Sequence, residues 1–258
     1  MRWHGALTPL THRVAPIPCG VIHDMSTMGR NAQIHRKFAM SFLIRVILPD
    51  TPGSLGQLAE AFGIAGANIQ SVDIVETSPE GSVTDDIVVE LPAGTMADVL
   101  FTAANEVDGV EIDSIRPFSG TVDRRGQISL LARVAAKHDT TAAMQEVCAA
   151  MPQALTSTWS IVIDNNEPIH RIAASDAAPE DDGTIPSNIA VDGARILHPE
   201  SEEWIPESWA LLDSALAAAP LGNTGLVMVI GRVGGPDYLA SEVDHLGHLG
   251  TILGAFVK

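Results

Sequence analysis

The strongest constraint in this sequence is the order of the patterns between residues 41 and 118. Residues 41–48 form a β-branched and aromatic run of strand length that ends at a proline. A helical spacing follows, then two alternating runs joined by a turn, a second helical spacing and a last short strand. The order βαββαβ predicts an α+β fold, because right-handed crossovers place both helices on one face of a four-stranded antiparallel sheet.

The predicted sheet has helices on one face only. A small sheet with a bare face tends to bury that face, or its edges, against another copy of itself. We therefore expect a homodimer.

A polar loop joins the first predicted strand to the first predicted helix. It reads Asp50-Thr51-Pro52-Gly53-Ser54-Leu55, and Gly66-Ala67-Asn68-Ile69 follows the helix. Gly53 lets the backbone approach a ligand closely, and the N–H groups of a first helical turn have no helical partners, so they can hold a carboxylate. Asp50 and Asn68 can meet an ammonium group. The simpler interpretation is structural: Pro52-Gly53 forms a tight turn, Asp50 or Ser54 caps the helix, and Asn68 occupies a strained backbone position after Gly66.

These two strings resemble the D-x-P-G-x-L and G-x-N-I motifs of the ACT domain family, and the resemblance covers residues 41–118. It implies a ferredoxin-like fold and a small effector, often an amino acid, bound at an interface between domains. The ligand-binding residues that follow from it are Asp50, Pro52, Gly53, Ser54, Leu55, Asn68 and Ile69. Taken without the resemblance, the residues predict only a carboxylate-sized site at a helix start, and some ACT domains serve assembly alone.

Residues 119–153 predict a helical connector. The linker Ser119-Gly120-Thr121 precedes two helical spacings on either side of residues 138–140. Cys148 lies on the apolar face of the second helix, which favours a buried and inert thiol.

Residues 154–258 predict a second α+β domain. Its patterns are a hairpin over 159–174, an acidic loop over 178–188, a strand at 195–197, a helix over 206–219, a strand over 225–232 and a closing helix over 236–256. This order, together with the final segment at 238–246, resembles a GAF domain. The whole chain, including the strings SDAAPE and GRVGGPD, resembles actinobacterial ACT-domain proteins with a GAF-like C-terminal domain.

The second domain offers two weaker candidate sites. Arg171 with Ser175, Asp176 and Glu180 can form a polar pocket that binds a zwitterion, but loop capping is the favoured interpretation of Ser175 and Asp176. Arg232 lies in a strand-to-helix turn, the setting in which anions bind, but the turn lacks GxGxxG spacing and a P-loop lysine. The sequence contains no catalytic motif at a readable spacing, so we expect no catalytic residues, no metal and no cofactor.

Residues 1–39 differ in character from the rest of the chain. They carry five basic residues and one acidic residue, whereas the whole chain has a net charge of −17. We expect a disordered extension, interpreted as a targeting peptide, a functional basic tail or translated sequence upstream of a true start such as Met40. The apolar run is too broken for a secretory signal, which with two unclustered cysteines favours the cytoplasm.

The overall charge also limits which classes of partner the protein can bind. A net charge of −17 repels phosphate backbones, and no basic cluster reverses it locally, so we expect no nucleic-acid binding. No apolar stretch approaches the roughly 20 residues that span a membrane. The sequence therefore favours a regulatory or sensor protein that binds a small amino acid. The alternatives are an enzyme whose C-terminal domain is controlled by the ACT-like part, and a ligand-free dimerisation scaffold.

Overall fold

The structure is a computed structural model that describes residues 40–118, 124–181, 183 and 189–257, without the side chains of residues 124 and 125. The predictions for the extension at 1–39 and the linker at 119–121, and most of the acidic loop, lie outside these residues. The domain boundaries at 40–118, 119–153 and 154–258 stay a prediction, since residues 38–258 form one compact unit.

The first half of the described chain is a four-stranded antiparallel sheet with two helices. Its strand order is β2-β3-β1-β4, so β2 and β4 are the outer strands. The elements are β1 Met40–Pro49, α1 Ser54–Ile64, β2 Asn68–Thr77, β3 Ser82–Leu91, α2 Asp98–Asn105 and β4 Glu111–Pro117. The element order agrees with the βαββαβ pattern in the sequence, and the prediction of a mixed α+β chain with antiparallel sheets is confirmed.

The core of this half lies between the helices and one face of the sheet. Alternate residues of β1 and β3 point toward the helices, and Ile44, Val46 and Ile87 are fully buried there. Leu58 and Phe62 of α1 and Leu100 of α2 fill the other side of the same core. The period of two in the strands and of three to four in the helices is what brings these side chains together.

The opposite face of the first sheet is not bare, so the premise behind the expected dimer is wrong. Leu43 and Val88, which point away from α1 and α2, are 1% and 0% exposed within a single chain. Arg45 and Asp86 on the same face are buried too, and Arg45 contacts Glu242 near the C-terminus. The second half of the chain covers this face, and the homodimer remains a prediction without that support.

The second half is a five-stranded antiparallel sheet with the order β6-β5-β9-β8-β7. Its elements are α3 Arg124–Ala135, α4 Thr140–Ala154, β5 Trp159–Asp164, β6 His170–Ala174, β7 Arg195–Leu197, a 3-10 turn at Glu207–Trp209, β8 Ser214–Pro220, β9 Leu226–Val233 and α5 Ala240–Gly254. Leu130 of α3 and Met144 of α4 pack into the same core as Met228 and Ile230 of β9. The two helices predicted as a connector thus belong to the packing of the second sheet.

The predicted helix over residues 206–219 is wrong. Only a 3-10 turn forms there, and Ser214–Pro220 is an inner strand of the sheet, between β9 and β7. Alanine favours helices in isolation, but Ala217, Ala218 and Ala219 are completely buried between β9 and neighbouring layers. Tertiary packing overrides the local preference in this segment.

Small residues let α5 lie directly against the end of β8. A Cβ atom at Gly250 would lie 2.6 Å from the carbonyl oxygen of Pro220, and one at Gly254 would overlap the carbonyl of Leu221. No side chain fits at either position while the helix keeps this distance. The second half of α5 is therefore in backbone contact with the sheet.

We expect Gly231→Ala to destabilise the fold. Gly231 lies opposite Trp159 in the β5–β9 pairing, and a Cβ atom there would overlap the indole ring. Overpacking of this kind costs about 1 to 3 kcal/mol. Urea unfolding followed by tryptophan fluorescence measures the change in the free energy of unfolding. Gly193→Ala is the matched control, because nothing lies within 4 Å of its added Cβ atom; equal midpoints for the two variants would contradict the expected overlap.

Candidate functional site

The loop at residues 50–55 turns sharply into α1. Gly53 has a φ of 102°, a left-handed conformation that favours glycine, and α1 begins at Ser54. Asp50, Pro52 and Gly53 are exposed, Ser54 is buried, and Leu55 packs partly against the core. The Ser54 N–H donates to the carbonyl of Thr51 at 3.2 Å, so this N–H is already used within the turn. The exposed backbone at Gly53 leaves open space for a ligand.

Asn68 and Ile69 lie at the opposite end of the sheet from this loop. Pro49, which precedes the loop, pairs with Ser82 of β3, whereas Asn68 pairs with Glu90 of the same strand. Because an antiparallel strand rises about 3.4 Å per residue, the two positions are about 27 Å apart along β3. One chain therefore does not bring the two halves of the predicted site together. Ile69 also packs against the core beneath the sheet.

Among the described residues, those expected to form a polar pocket around Arg171 form other contacts or are exposed. The Arg171 Nη1 donates to the carbonyl oxygen of Pro179 at 2.7 Å, and Asp176 and Glu180 are exposed. The Ser175 hydroxyl accepts from the Ser160 N–H at 3.0 Å and so extends the pairing of β5 with β6. These hydrogen bonds hold the loop in a folded conformation at the edge of the sheet.

Arg232 belongs to a buried ionic cluster that no sequence motif predicts. The ionic cluster consists of Arg45, Asp86, Arg232 and Glu242. Arg45 forms a two-point contact with Asp86, with Nε to Oδ1 at 2.8 Å and Nη2 to Oδ2 at 2.9 Å. It forms a second one with Glu242, with Nη1 to Oε2 at 3.0 Å and Nη2 to Oε1 at 2.9 Å. The Arg232 Nη2 donates to Glu242 Oε1 at 2.6 Å.

The remaining donors of Arg232 are used as well. They reach the carbonyl and hydroxyl oxygens of Thr156 and the carbonyls of Pro236 and Asp237. The guanidinium carbon lies 4.1 Å from the ring centre of Tyr238, a cation–π distance. Thr156 has a φ of 48°, which is strained for threonine, and the two hydrogen bonds from Arg232 hold it there.

Burial and opposite charge compete at Glu242. Burial raises the pKa of this carboxyl, but the hydrogen bond from Arg45 and the charge and hydrogen bond of Arg232 outweigh it and lower the pKa to about 2. Burial lowers the pKa of Arg45, and Asp86 and Glu242 more than reverse that effect. Arg45 and Glu242 are therefore both charged at neutral pH.

Two further charged groups of the first sheet are perturbed. Burial and the neighbouring charge of Arg232 lower the pKa of Arg116 to about 10. Burial raises the pKa of Asp85, and the carboxylates of Asp86 and Asp73 raise it further. The side chain of Asp85 is 2% exposed, and its Oδ1 has no hydrogen-bond partner in the described part of the chain.

A cavity of about 470 Å³ adjoins the ionic cluster. We call it the inter-sheet cavity, because its walls come from β2 and β3 of the first sheet and from α3, the end of α4, β9 and α5 of the second half. Asp86 and Glu242 of the cluster line it, as do Tyr238, Ser241 and His245. The His245 Nε2 lies 3.2 Å from the Gln127 Oε1, across the cavity mouth between α5 and α3.

The described residues contain no group of three or more His, Cys, Asp or Glu side chains with metal-binding geometry. Cys148 is buried, and burial raises the pKa of its thiol to about 12. A thiolate does not form there at neutral pH, in agreement with the inert thiol expected from its position on α4.

The sequence carries a signal for the ionic cluster in two charged residues of apolar strands. Arg45 interrupts an otherwise apolar strand, and Arg232 ends another. A charged residue inside a buried strand needs an opposite charge. Its partner Glu242 is 197 residues from Arg45, so the pairing itself cannot be read from spacing.

No protein-family model matches the chain, and no curated protein sequence matches it. The resemblance to actinobacterial ACT-domain proteins therefore finds no support in a family model or a named relative. Among the described residues, no helix is long and apolar enough to cross a membrane.

Solved structures with a similar fold include GAF domains and an ACT domain. The GAF domain of a phosphoenolpyruvate-protein phosphotransferase from Coxiella burnetii is 12% identical and has a TM-score of 0.40, covering 51% of this chain and 89% of its own. The corresponding Acinetobacter domain is 12% identical with a TM-score of 0.41, covering 51% and 92%.

The ACT domain of the GTP pyrophosphokinase of Chlorobium tepidum is 18% identical, with a TM-score of 0.23, and covers 31% of this chain and 99% of its own. Scores and identities this low for all three structures leave ligand and activity open.

We expect Glu242→Gln to destabilise the protein strongly, because it leaves two buried guanidinium groups without their shared carboxylate. Breaking a buried ion pair in this way costs about 3 to 5 kcal/mol. Since the pKa of Glu242 is lowered to about 2 from an ordinary value of 4.5, its contribution is present above pH 4.5 and is lost as the pH falls toward 2. Urea unfolding at pH 7 and at pH 3 measures both effects.

Glu146→Gln is the matched control for this change. Glu146 pairs with Arg133 and Lys137 on a solvated helix surface, so we expect its loss to cost about 1 kcal/mol or less. An equal cost for the two substitutions, or a Glu242→Gln penalty that does not shrink in acid, would contradict the assigned role of the cluster.

Proposed function

We propose that the protein is a non-enzymatic, cytoplasmic regulator in which the first half of the chain binds a small amino acid and the bound state is communicated to the second half. One observation carries the communication step: the first sheet and α5 share the buried ionic cluster through Arg45 and Glu242. A shift of the first sheet cannot leave α5 unchanged, since each carboxylate and guanidinium fork fits only one relative orientation.

The proposed effector site is formed by two copies of the chain. The 50–55 loop offers exposed backbone beside a helix start together with the Asp50 carboxylate, and the Asn68 amide lies about 27 Å away along β3 in the same chain. Antiparallel pairing of β2 with the β2 of a second copy places Asn68 of one copy beside the β2 end nearest the loop of the other.

The outer strand β2 suits this pairing. It ends one side of the sheet, and Val72 and Ile74 on it are 37% and 63% exposed. Apolar side chains on an outer strand favour association with another strand. In this arrangement the loop holds the carboxylate of the amino acid, and Asp50 and the partner's Asn68 amide hold its ammonium group.

We expect the full-length chain to be stabilised by one or a few of the twenty amino acids in a thermal-shift screen. The exposed side chain of Asp50 and that of Asn68 contribute little to folding, so Asp50→Ala and Asn68→Ala should each abolish the shift without changing the melting temperature of the free protein. Glu60→Ala, an exposed acid further along α1, is the control and should keep the full shift.

Mixing the two variants tests the shared site directly. Random exchange between Asp50→Ala and Asn68→Ala dimers restores about a quarter of the sites, since each mixed dimer contains one complete pair. A shift that stays absent after exchange argues against a site formed by two copies. Absence of any amino-acid shift in a folded dimer would leave the scaffold or enzyme alternatives.

A further inference from the structure

The inter-sheet cavity is distinct from the proposed amino-acid site. It lies on the face of the first sheet that points away from α1 and α2, whereas the 50–55 loop lies at the end of that sheet beside α1. Its volume of about 470 Å³ falls within the range of small-molecule sites. It needs neither the loop nor a second copy of the chain.

Two hydroxyl groups at this cavity lack hydrogen-bond partners. Tyr238 lines the cavity, its side chain is 3% exposed, and its hydroxyl has no partner in the described part of the chain. The Ser241 hydroxyl, one turn further along, is equally buried and unpartnered. The Ser157 hydroxyl is near enough to lower the pKa of Tyr238, but among the described residues neither the Tyr238 nor the Ser157 hydroxyl has a hydrogen-bond partner.

Buried hydroxyls without partners are rare, because each has given up its hydrogen bonds to water. A ligand with a hydroxyl or carbonyl group supplies the missing partner.

The charges that line the cavity favour a cation. Asp73, Asp86 and Glu242 contribute carboxylates. Arg45 and Arg232 neutralise Asp86 and Glu242, so Asp73 supplies the excess negative charge of the described lining. Asp73 and Asp86 face each other across the β2–β3 pairing, so their carboxylates lie on the same side of the sheet. The positive end of α5 does not offset them, because the Glu242 carboxylate already accepts from the Leu239 N–H at 2.9 Å.

The other walls are apolar. Ile128 of α3, Leu155 after α4 and Ile230 of β9 also line the cavity. The arrangement combines an acidic edge, an apolar wall and two hydroxyl groups. An anion would lie beside the Asp73 carboxylate, and a purely apolar molecule would leave the hydroxyls without a partner.

We propose that the inter-sheet cavity binds a small organic amine. Its ammonium group lies at the Asp73 carboxylate, its apolar body lies against Leu155 and Ile230, and a polar group bonds the Tyr238 hydroxyl. Such a ligand contacts Asp86 and Glu242 directly, and both belong to the ionic cluster. The amine therefore binds at the junction through which the two halves of the chain are connected.

Tyramine and tryptamine are suitable probes, each compared with an acid of the same body. The acids are 3-(4-hydroxyphenyl)propionate and indole-3-propionate, which exchange the ammonium group for a carboxylate. Isothermal titration calorimetry on the full chain should show binding of at least one amine, with at least tenfold weaker binding of its acid. Equal affinity for amine and acid, or no binding of either amine to the folded chain, would overturn the proposal.

Single substitutions test whether the amine binds in the inter-sheet cavity. Asp73→Asn should weaken amine binding about tenfold, and Ser241→Leu, which fills the cavity, should abolish it. Asp244→Asn, an exposed carboxylate on the same helix, is the matched control and should leave the affinity unchanged. Amine affinity that neither Asp73→Asn nor Ser241→Leu alters would place the amine elsewhere and refute the assignment.

Tyr238→Phe separates a ligand-binding hydroxyl from a structural one. We expect it to weaken tyramine binding about fivefold while leaving the melting temperature of the free protein unchanged, since the hydroxyl has no partner to lose. A melting temperature lowered by several degrees would show a structural hydrogen bond and would count against the proposal. Asp50→Ala should bind the amine normally, which distinguishes failure at this site from failure of the amino-acid site.

Discussion

The contact of Arg45 with both Asp86 and Glu242 determines how the two halves of this chain are arranged. Arg45 is 2% exposed and lies in the middle of β1, so its charge must be neutralised inside the protein. Asp86 on the adjacent strand satisfies one edge of the guanidinium, and Glu242 from α5 satisfies the other. Because Glu242 also binds Arg232, the first sheet, the second sheet and α5 meet at one carboxylate. Buried ion pairs add little net stability, and we interpret this cluster chiefly as a device that fixes orientation.

The local pattern of the sequence predicts most of the elements and little of their contacts. The β-branched and aromatic run at residues 41–48 and the helical spacing after Gly53 locate β1 and α1, since residue type and spacing are local properties of the sequence. The helix predicted over 206–219 fails because the alanines of β8 are buried on both sides, a circumstance that spacing does not encode. The prediction that one face of the first sheet is bare fails for the same reason, because the segments that cover this face come from the other half of the chain.

For the candidate sites too, the sequence predicts local features and does not predict contacts between distant segments. The 50–55 loop is where the motif predicts it, with Gly53 in the conformation that its glycine implies. The sequence does not reveal that Asn68 lies at the far end of the sheet, because that depends on strand register. The inter-sheet cavity joins Asp73 of β2 to Tyr238, which precedes α5, and a constellation assembled from such distant segments has no local signature.

The glycines of α5 limit how that helix can move. Gly250 and Gly254 place the second half of the helix directly against the carbonyl groups at the end of β8, with no side chain between the two backbones. Sliding along the axis would drive backbone into backbone, so the permitted displacement is a tilt about this end. The first turn, which contains Glu242, then travels farthest for a given angle. The helix behaves as a lever with its pivot at Gly254 and its long arm at the junction between the two sheets.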